Sequence, residues 1–465
     1  MKKDNPIINE IKRNNDKFIK DDLIPFLQIP SVTKNKDGIN EAIKFIKSYI
    51  SQFSDKVIQF QGKINPLILS KVKGNTDRFL LIYMMYDTQP VKDLENWIAP
   101  PFEAKSKTLP TLPKLGECII ARGAYNSKTP LLSFLNTIKI LKDDDDLPFS
   151  LYLIIDGEEE MGSPSFPQFL KKYENTFINC KDAYYPALKQ DIEGTAVLKL
   201  GYKGILSLKI DMFTDNEDVH SSYSNVVSNP AIDLVKLINF LYSDEKISVP
   251  SLSKNYELKT EDEKLIEVLS NKKNIEKIKK KARIKQIITQ ESKDFFIKYL
   301  FDPTFNLSTL KSGYMNNGIK NSVPNFSTCN IDIRFAHKIP FNTIFNELKE
   351  KIYDFSKNIS SNVKINKNVG YGSSKVSKDS VMVKSLINSF KEMNVSTELW
   401  PISAASSPLN ILKNQLGINY ITGGLGIAGN AHTANEFVQV DSIINTRLGY
   451  YYFFKKYQEN YKTDK

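Results

Sequence analysis

Two short, mostly apolar runs mark the first third of the chain. Residues 79–85 (FLLIYMM) and 149–155 (FSLYLII) each end in polar and turn-forming residues. Such runs suit strands that are buried on both faces of a parallel sheet. Residues 129–142, between them, carry Pro130 near their start, where helices accept proline, and predict a helix. The pattern is therefore that of an α/β domain.

The pattern changes from about residue 199. Residues 203–212 alternate polar and apolar positions, and residues 230–241 place apolar positions at helical spacing. Residues 327–335 alternate again, and residues 345–357 predict a second helix. Alternating strands combined with helices predict a separate α+β unit whose sheet has one open face.

The α/β character returns after about residue 373, with a helix predicted at 380–393 and a strand at 418–422. We therefore predict an α/β domain with a mostly parallel sheet that is interrupted by an inserted α+β domain. The predicted boundaries assign 1–198 and 373–465 to the first domain and 199–372 to the insertion.

Length and composition support a folded protein of two domains, or of one domain with a large insertion. The chain has 465 residues, of which 41% are hydrophobic and 11% aromatic. Its first residues contain no apolar run typical of a signal peptide, and no stretch approaches the roughly 20 apolar residues of a membrane helix. The three cysteines, Cys118, Cys180 and Cys329, form no CxxC pair. We therefore expect a reduced, cytoplasmic protein without membrane contact.

The net charge of +11 comes almost entirely from lysines that are spread along the chain, with only six arginines. A basic balance can indicate contact with nucleic acid, but no nucleic-acid-binding motif accompanies it. We predict no nucleic-acid partner.

The segment DGEEEMGSP (156–164) directly follows the second predicted strand, and Asp87 follows the first. Ligand chemistry in α/β folds lies at the carboxyl ends of strands. Adjacent carboxylates raise each other's pKa unless a cation neutralises them, which favours a metal or proton-transfer site. From composition alone, a charged surface loop explains the segment equally well.

The acidic segment resembles the EGEEEIGS motif of the co-catalytic zinc metallopeptidase family. That family includes carnosinases, bacterial dipeptidases, aminoacylases and acetylornithine and succinyl-diaminopimelate deacylases. Further segments resemble family motifs in the same order along nearly the whole chain: LIYMMYDTQPV (81–91), NWIAPPF (96–102), ARGAYNSKTPL (121–131), LGYKGILSLKI (200–210), DVHSSYSNVVSNPA (218–231), SGYMNNGIKNSVPN (312–325), IDIRF (331–335) and NAHTANEF (430–437).

The resemblance implies a catalytic α/β domain and an inserted lid and dimerisation domain. It also implies roles for particular residues. Glu159 corresponds to the general base, whereas Glu160 and His432 correspond to metal ligands. Asp87 corresponds to the aspartate that orients a metal-binding histidine.

Other family ligands are replaced. The first metal-binding histidine corresponds to Met85, whose thioether is a poor zinc ligand. The bridging aspartate corresponds to Asn126, and the last carboxylate falls near Pro186. At that last position the correspondence is loose, so Asp182 or Asp191 could also approach the site.

The losses fall mostly on one of the two metals. Glu160, His432 and Asn126 could hold one zinc ion, or manganese or cobalt in its place. Because the amide of Asn126 is neutral, we expect weaker metal binding than at a two-zinc site, or none.

The substrate side of the family pattern is better preserved. Arg334 corresponds to the arginine that binds the substrate carboxylate, a task that suits its planar guanidinium. His220 corresponds to the histidine that stabilises the oxyanion across the family dimer. The resemblance therefore implies a homodimer formed through the inserted domain.

Two functional hypotheses follow. In the first, the chain hydrolyses the amide bond of a dipeptide or N-acyl amino acid with an impaired or single-metal site. In the second, it is a non-catalytic homologue that binds a peptide-like carboxylate ligand or acts as a subunit beside an active paralogue. Retention of Glu159, Glu160, His432, His220 and Arg334 favours the first. Replacement of family ligands by Met85, Asn126 and Pro186 favours the second.

Overall fold

The computed structural model describes residues 5–253, 256–272, 275–282, 284–289 and 291–463. The chain divides into two compact units. Unit 1 comprises Met1–Leu200, Val376–Trp400 and Ile411–Lys465, and unit 2 comprises Gly201–Lys375 and Pro401–Asn410.

The first segment of unit 1 contains seven α-helices and eight strands among its described residues. The helices are α1 (Pro6–Arg13), α2 (Asn15–Lys17), α3 (Ile24–Gln28), α4 (Lys36–Ile50), α5 (Lys128–Asp143), α6 (Phe166–Lys172) and α7 (Glu174–Phe177). The strands are β1 (Lys56–Phe60), β2 (Leu67–Val72), β3 (Phe79–Met85), β4 (Lys105–Thr108), β5 (Glu117–Ile120), β6 (Ser150–Asp156), β7 (Asp182–Pro186) and β8 (Ala196–Lys199).

The segment that follows belongs to unit 2. Its helices are α8 (Pro230–Leu241), α9 (Thr260–Lys272), α10 (Ile275–Ala282), α11 (Ser292–Leu300) and α12 (Phe341–Ser356). Its strands are β9 (Gly201–Phe213), β10 (Val219–His220), β11 (Tyr242–Ser243), β12 (Lys246–Ile247), β13 (Thr304–Ser312), β14 (Ser322–Val323), β15 (Phe326–Phe335), β16 (Asn362–Tyr371) and β17 (Ser374–Lys375).

The last part of the chain returns to unit 1, apart from Pro401–Asn410. That short segment groups with unit 2 because its strand hydrogen-bonds to β9. The elements of this part are α13 (Val381–Glu392), β18 (Thr397–Trp400), β19 (Ser403–Ser406), α14 (Asn410–Leu416), β20 (Asn419–Gly423), β21 (Ala428–Gly429), β22 (Phe437–Gln439) and α15 (Val440–Thr463).

The central sheet of unit 1 has the strand order β1-β2-β6-β3-β7-β20. Strands β6, β3, β7 and β20 are parallel, and β1 and β2 are antiparallel additions at one side. The two apolar runs predicted as buried strands are β3 and β6, which confirms the α/β interpretation. Because the four strands run in the same direction, the loops that follow them emerge at one edge of the sheet.

A smaller sheet of unit 1, with the order β21-β22-β5-β4, joins strands from the early and the late parts of the chain. Its strand β22 pairs with β5, which fixes the loop between β21 and β22. That loop carries His432, and β5 leads directly into the segment that carries Asn126.

Unit 2 is built on an antiparallel sheet with the order β13-β15-β9-β16. Residues of β9 and β15 alternate between buried and partly exposed positions, as the sequence pattern predicted. Their buried side chains pack with the apolar faces of α8 and α12 into one core. The helix predicted at 230–241 matches α8.

All three cysteines are free and buried. No helix within the described residues is sufficiently long and apolar to cross a membrane.

Candidate active site

The acidic segment lies at the carboxyl edge of the central sheet. Met85 at the end of β3 pairs with Asp156 at the end of β6, so the loops after the two strands are neighbours. The backbone N–H of Glu160 donates to Asp87 Oδ2 at 3.1 Å, which joins the two loops directly. Glu159 and Glu160 begin a short 3₁₀ turn. The parallel sheet therefore brings together Asp87 and the glutamates that the sequence singled out.

Two acidic side chains of this segment stabilise the turn itself. Asp156 accepts hydrogen bonds from two hydroxyl groups, those of Tyr83 and Ser163. Glu158 is fully buried and accepts from the backbone N–H groups of Ile64, Asn65 and Ser165. Buried carboxylates need such partners to offset their lost hydration. Glu159 and Glu160 are therefore the members of the segment that remain for chemistry.

Glu160, Asn126 and His432 converge on one point. Asn126 Nδ2 lies 3.0 Å from Glu160 Oε1 and 3.1 Å from His432 Nε2. His432 Nε2 lies 3.1 Å from the same Glu160 oxygen. The Glu160 side chain is 3% exposed and that of His432 is 50% exposed. The three predicted metal ligands thus meet at the surface of unit 1, with the carboxylate at the inner side.

The hydrogen bonds of this triplet affect its protonation. Gln89 Nε2 donates to the second oxygen of Glu160, Oε2, at 2.8 Å. The hydrogen bond that His432 donates to Glu160 raises the pKa of His432 above its ordinary value, against the opposing effect of burial. The pair therefore favours an imidazolium hydrogen-bonded to a carboxylate when no other cation is bound.

A buried ion pair holds the Asn126 loop in place. Arg122 Nη1 donates to Glu436 Oε2 at 2.6 Å, and both side chains are almost completely buried. The other carboxylate oxygen of Glu436 accepts from the backbone N–H groups of Tyr125 and Asn126, at 3.0 and 2.8 Å. Arg122 and Glu436 are not among the residues that the sequence predicted for the site. Both lie within the family-like segments 121–131 and 430–437, which is the signal that could have identified them.

Glu159 has an unusual protonation behaviour. Burial, together with the charges of Glu160 and Asp156, raises the pKa of Glu159 to about 8. The positive charges of His432 and Lys189 act in the opposite direction. A carboxyl group whose pKa lies near neutrality can both accept and release a proton at physiological pH, as general acid–base chemistry requires.

Asp87 lies beneath this centre. Its side chain is completely buried, and Oδ2 accepts from Thr33 Oγ1 at 3.1 Å. Among the described residues, no hydrogen-bond partner reaches its other oxygen, Oδ1. Burial and the nearby carboxylates raise the pKa of Asp87 well above its usual range. Strand β3, which leads to Asp87, ends at Met85. The Met85 side chain is fully buried and has no N–H group that could donate to Asp87.

Asp182 and Asp191, the two aspartates near Pro186 that could have replaced a metal ligand, make no hydrogen bond to the triplet among the contacts described for them. Asp182 accepts from the hydroxyl of Tyr457 on α15 at 3.0 Å. Asp191 Oδ1 accepts from backbone N–H groups two and four residues further along the chain. Both carboxylates are therefore held by hydrogen bonds outside the triplet, and β7 ends at Pro186, near the position where the family resemblance implies a ligand.

The donor atoms of the triplet fit one metal ion. Ligand atoms of a tetrahedral zinc lie roughly 3.3 Å apart when each bond is about 2.0 Å, close to the 3.0–3.1 Å seen here. Rotating the Asn126 amide by half a turn would present its oxygen to the ion. Within the described part of the chain, no group of three or more His, Cys, Asp or Glu side chains could hold a metal ion. A metal at this centre therefore depends on Asn126.

The remaining predicted site residues belong to unit 2. Arg334 lies on β15, an inner strand of the unit 2 sheet, and its Nη1 donates to Ser406 Oγ at 3.2 Å. Its Nε lies 3.6 Å from an oxygen of Asp332. His220 is exposed, and its Nδ1 accepts from the backbone N–H of Ser222 at 3.2 Å. With Nδ1 held in this way, Nε2 is the ring nitrogen that could donate to a ligand.

Comparison with known proteins agrees with the family resemblance. Residues 81–456 match the family described as Peptidase family M20/M25/M40. The human Beta-Ala-His dipeptidase is 22% identical over 311 residues, covering 64% of this chain and 58% of that protein. The "Probable di- and tripeptidase DUG2" of Saccharomyces cerevisiae is 24% identical over 309 residues, covering 65% of this chain and 32% of that protein. The chain thus spans about half the length of the curated relatives it matches.

Solved structures share the fold along almost the whole chain. The M20 family metallo-carboxypeptidase Sso-CP2 from Sulfolobus solfataricus has a TM-score of 0.85 and 27% identity, covering 94% of this chain and 98% of its own. The dipeptidase Dug1p from Saccharomyces cerevisiae has a TM-score of 0.79 and 20% identity, covering 97% and 98%.

Proposed function

The chain belongs to peptidase family M20/M25/M40, and from this we propose that it hydrolyses the amide bond of dipeptides or N-acyl amino acids at the acidic centre of unit 1. The observation that carries the proposal is the convergence of Glu160, His432 and Asn126 within 3.0–3.1 Å of one another, directly beside Glu159. Similarity to proteins named as dipeptidases and a metallo-carboxypeptidase supports the reaction type.

Glu160, His432 and Asn126 would hold one zinc ion, or manganese or cobalt, through one carboxylate oxygen, one imidazole nitrogen and one amide oxygen. When bound, such an ion supplies a Lewis acid that polarises a carbonyl group and lowers the pKa of water. Gln89 fixes the orientation of the Glu160 carboxylate through its 2.8 Å hydrogen bond. The Arg122–Glu436 pair fixes the Asn126 loop from behind.

Glu159 moves the proton in this proposal. As a carboxylate it takes a proton from the water that attacks the amide carbon. It then delivers this proton to the leaving nitrogen as the C–N bond breaks, so that an acid and an amine are released. The raised pKa of Glu159 supports the second step, because the protonated form is stable near neutral pH.

The substrate contacts from unit 2 rest on the family resemblance. Arg334 would bind the free carboxylate of the substrate, and His220 would donate to the oxyanion through Nε2. The hydrogen bond between Arg334 and Ser406 supports an ordered guanidinium group on this inner strand.

A homodimer formed through unit 2 is also part of the proposal. Helix α8 exposes Ile232 and Val235, which are 52% and 55% accessible and lie three residues apart on one helical face. An exposed apolar helical face supports contact with a second chain. Light scattering on the purified protein measures the mass directly, and Ile232→Asp should yield monomers.

The free, buried state of all three cysteines supports a cytoplasmic location, where thiols stay reduced.

A non-catalytic homologue is the second candidate, and one observation favours it. Glu160 Oε1 accepts hydrogen bonds from both Asn126 Nδ2 and His432 Nε2, so hydrogen bonds alone can hold this centre together. Such a protein would bind a peptide-like carboxylate ligand or assist an active paralogue.

Metal analysis combined with a hydrolysis assay separates the two candidates. The purified protein is tested on a set of dipeptides and N-acetyl amino acids with added zinc, manganese or cobalt. The hydrolase proposal expects about one bound ion and turnover that Glu159→Gln reduces at least 100-fold. The exposed Glu174 on α7 provides a matched control, since Glu174→Gln should retain turnover. Absence of turnover, with ligand binding that Arg334→Ala abolishes, would establish the non-catalytic candidate instead.

A further inference from the structure

The loop that follows β7 has lost the carboxylate expected near Pro186, but it carries Lys189 three residues later. The backbone of Lys189 is fixed on both sides. Its N–H donates to Gly424 O at 3.2 Å, just beyond the end of β20, and its carbonyl accepts from Val197 N at 2.7 Å. These two bonds hold the start of the lysine side chain at the carboxyl edge of the central sheet, where the acidic centre lies.

The Lys189 side chain extends towards that centre. Its Nζ lies 5.6 Å from the centroid of the Tyr125 ring, within the range of a cation–π contact. Tyr125 immediately precedes Asn126, and Tyr125 is only partly exposed. The lysine charge also acts on Glu159, where it opposes the increase of the pKa caused by burial. The ammonium group therefore lies against the residue that precedes the amide ligand Asn126, and its charge acts on the proposed general base.

Several carboxyl groups crowd this edge of the sheet, and a nearby cation favours their charged forms. Asp87, Asp156, Glu159 and Glu160 face one another closely enough for each to affect the pKa of another. One metal ion bound by Glu160 and His432 would neutralise only part of this charge. Met85 and Pro186 stand where the family resemblance implies the ligands specific to the second metal, so this half of the centre lacks its own ligands.

We propose that Lys189 serves as the second cation of this centre and donates to the carbonyl oxygen of the scissile amide as negative charge develops on it. This inference rests on the proposed hydrolase function. A lysine ammonium is a compact charge with three donor hydrogens on a flexible stem, so it can approach an oxygen at many angles. Donors placed where charge develops lower the barrier of acyl transfer more than they strengthen substrate binding.

The test compares Lys189→Met and Lys189→Arg with the wild-type protein and with Lys199→Met. Lys199 is a suitable control because it lies in the same unit, is also partly exposed, and has its Nζ 5.7 Å from the Trp400 ring centroid. Two quantities are measured: kcat and KM for a dipeptide with added metal, and the affinity for a phosphinic pseudodipeptide, whose tetrahedral anion resembles the addition intermediate.

For Lys189→Met we expect kcat to fall roughly 100-fold or more with a small change in KM, as for loss of one oxyanion donor. The phosphinic compound should bind at least tenfold more weakly, both with metal and in EDTA. Lys189→Arg should recover part of both quantities, and Lys199→Met should match the wild type. Unchanged kcat and phosphinic affinity in Lys189→Met would overturn the inference.

The outcome also distinguishes this inference from the proposed function. If the wild-type protein hydrolyses no amide but binds the phosphinic compound in a manner that depends on Lys189, the hydrolase proposal fails and the anion-binding role of Lys189 stands. If hydrolysis is present and insensitive to Lys189→Met, the hydrolase proposal stands and the role of Lys189 is refuted. A wild-type protein that neither hydrolyses an amide nor binds the compound refutes both.

Discussion

Replacing Asn126 by aspartate should have opposite effects with and without metal. The Asn126 amide nitrogen lies 3.0 Å from Glu160 Oε1 and donates a hydrogen bond to it. In Asn126→Asp, a carboxylate oxygen takes this place and faces another carboxylate at a similar distance. Two like charges 3.0 Å apart repel by about 5 kcal/mol at an effective dielectric constant of about 20.

Part of this repulsion will be relieved. His432 Nε2 lies 3.1 Å from the Asn126 amide nitrogen, so a protonated His432 can donate to the new carboxylate. The His432 side chain is also half exposed, so water can reach the new carboxylate. We therefore expect the metal-free variant to lose about 2 kcal/mol of unfolding free energy relative to wild type. A bound dication reverses the sign, because the added charge then compensates the ion. Metal affinity should rise at least about tenfold, equivalent to about 1.4 kcal/mol.

Urea denaturation in EDTA and in excess zinc measures both effects, and calorimetry gives the metal affinity. Asn358→Asp is a matched control: Asn358 is exposed on unit 2, and the same chemical change there should leave both measurements near wild type. A variant as stable as wild type in EDTA would contradict the geometry of the triplet. A variant that binds zinc no more tightly than wild type would refute the assignment of Asn126 as a ligand.

Two further predictions concern buried charges of unit 1. Arg122→Met leaves the buried Glu436 carboxylate without its cation and should lower the unfolding free energy by about 3–5 kcal/mol, measured by urea denaturation. In the control Arg13→Met, which removes an exposed arginine, the unfolding free energy should change little. An equally small loss in Arg122→Met would contradict the ion pair with Glu436. Burial lowers the pKa of Lys128 from 10.5 to about 7, so between these values the unfolded chain binds about one more proton and stability rises with pH. The slope should be up to about 1.4 kcal/mol per pH unit. Denaturation of Lys128→Met between pH 7.5 and 9.5 should show a slope smaller by about 1 kcal/mol per unit, and an unchanged slope would mean that the lysine stays protonated.

Local pattern was sufficient for the main elements of the fold. The runs at 79–85 and 149–155 became β3 and β6, shifted by at most one residue, because buried parallel strands require continuous apolar side chains. The helix at 230–241 and the alternating strands of unit 2 followed from their periods in the same way. The segment Pro401–Asn410 was different: its place in unit 2 depends on pairing between β19 and β9, which are about 200 residues apart.

For the candidate site, too, some features follow from the sequence and others only from the tertiary structure. The sequence by itself determined which residue types are available: a general-base candidate in Glu159, ligands in Glu160 and His432, and Met85 and Asn126 where ligands are expected. It could not determine which of these side chains meet, because Glu160 and His432 are 272 residues apart in the chain. Such contacts depend on strand order and loop closure across the whole unit.

Only the tertiary structure joined Asn126 to Glu160 and His432, and placed the Arg122–Glu436 pair behind them. It also showed that the hydrogen bonds of Asp182 and Asp191 lie outside this triplet and that Lys189 lies in the same loop region as Asp191. The physical reason is that residue type fixes what a group can donate, accept or carry as charge. Its pKa and its role are set by the neighbours that the fold brings within a few ångströms.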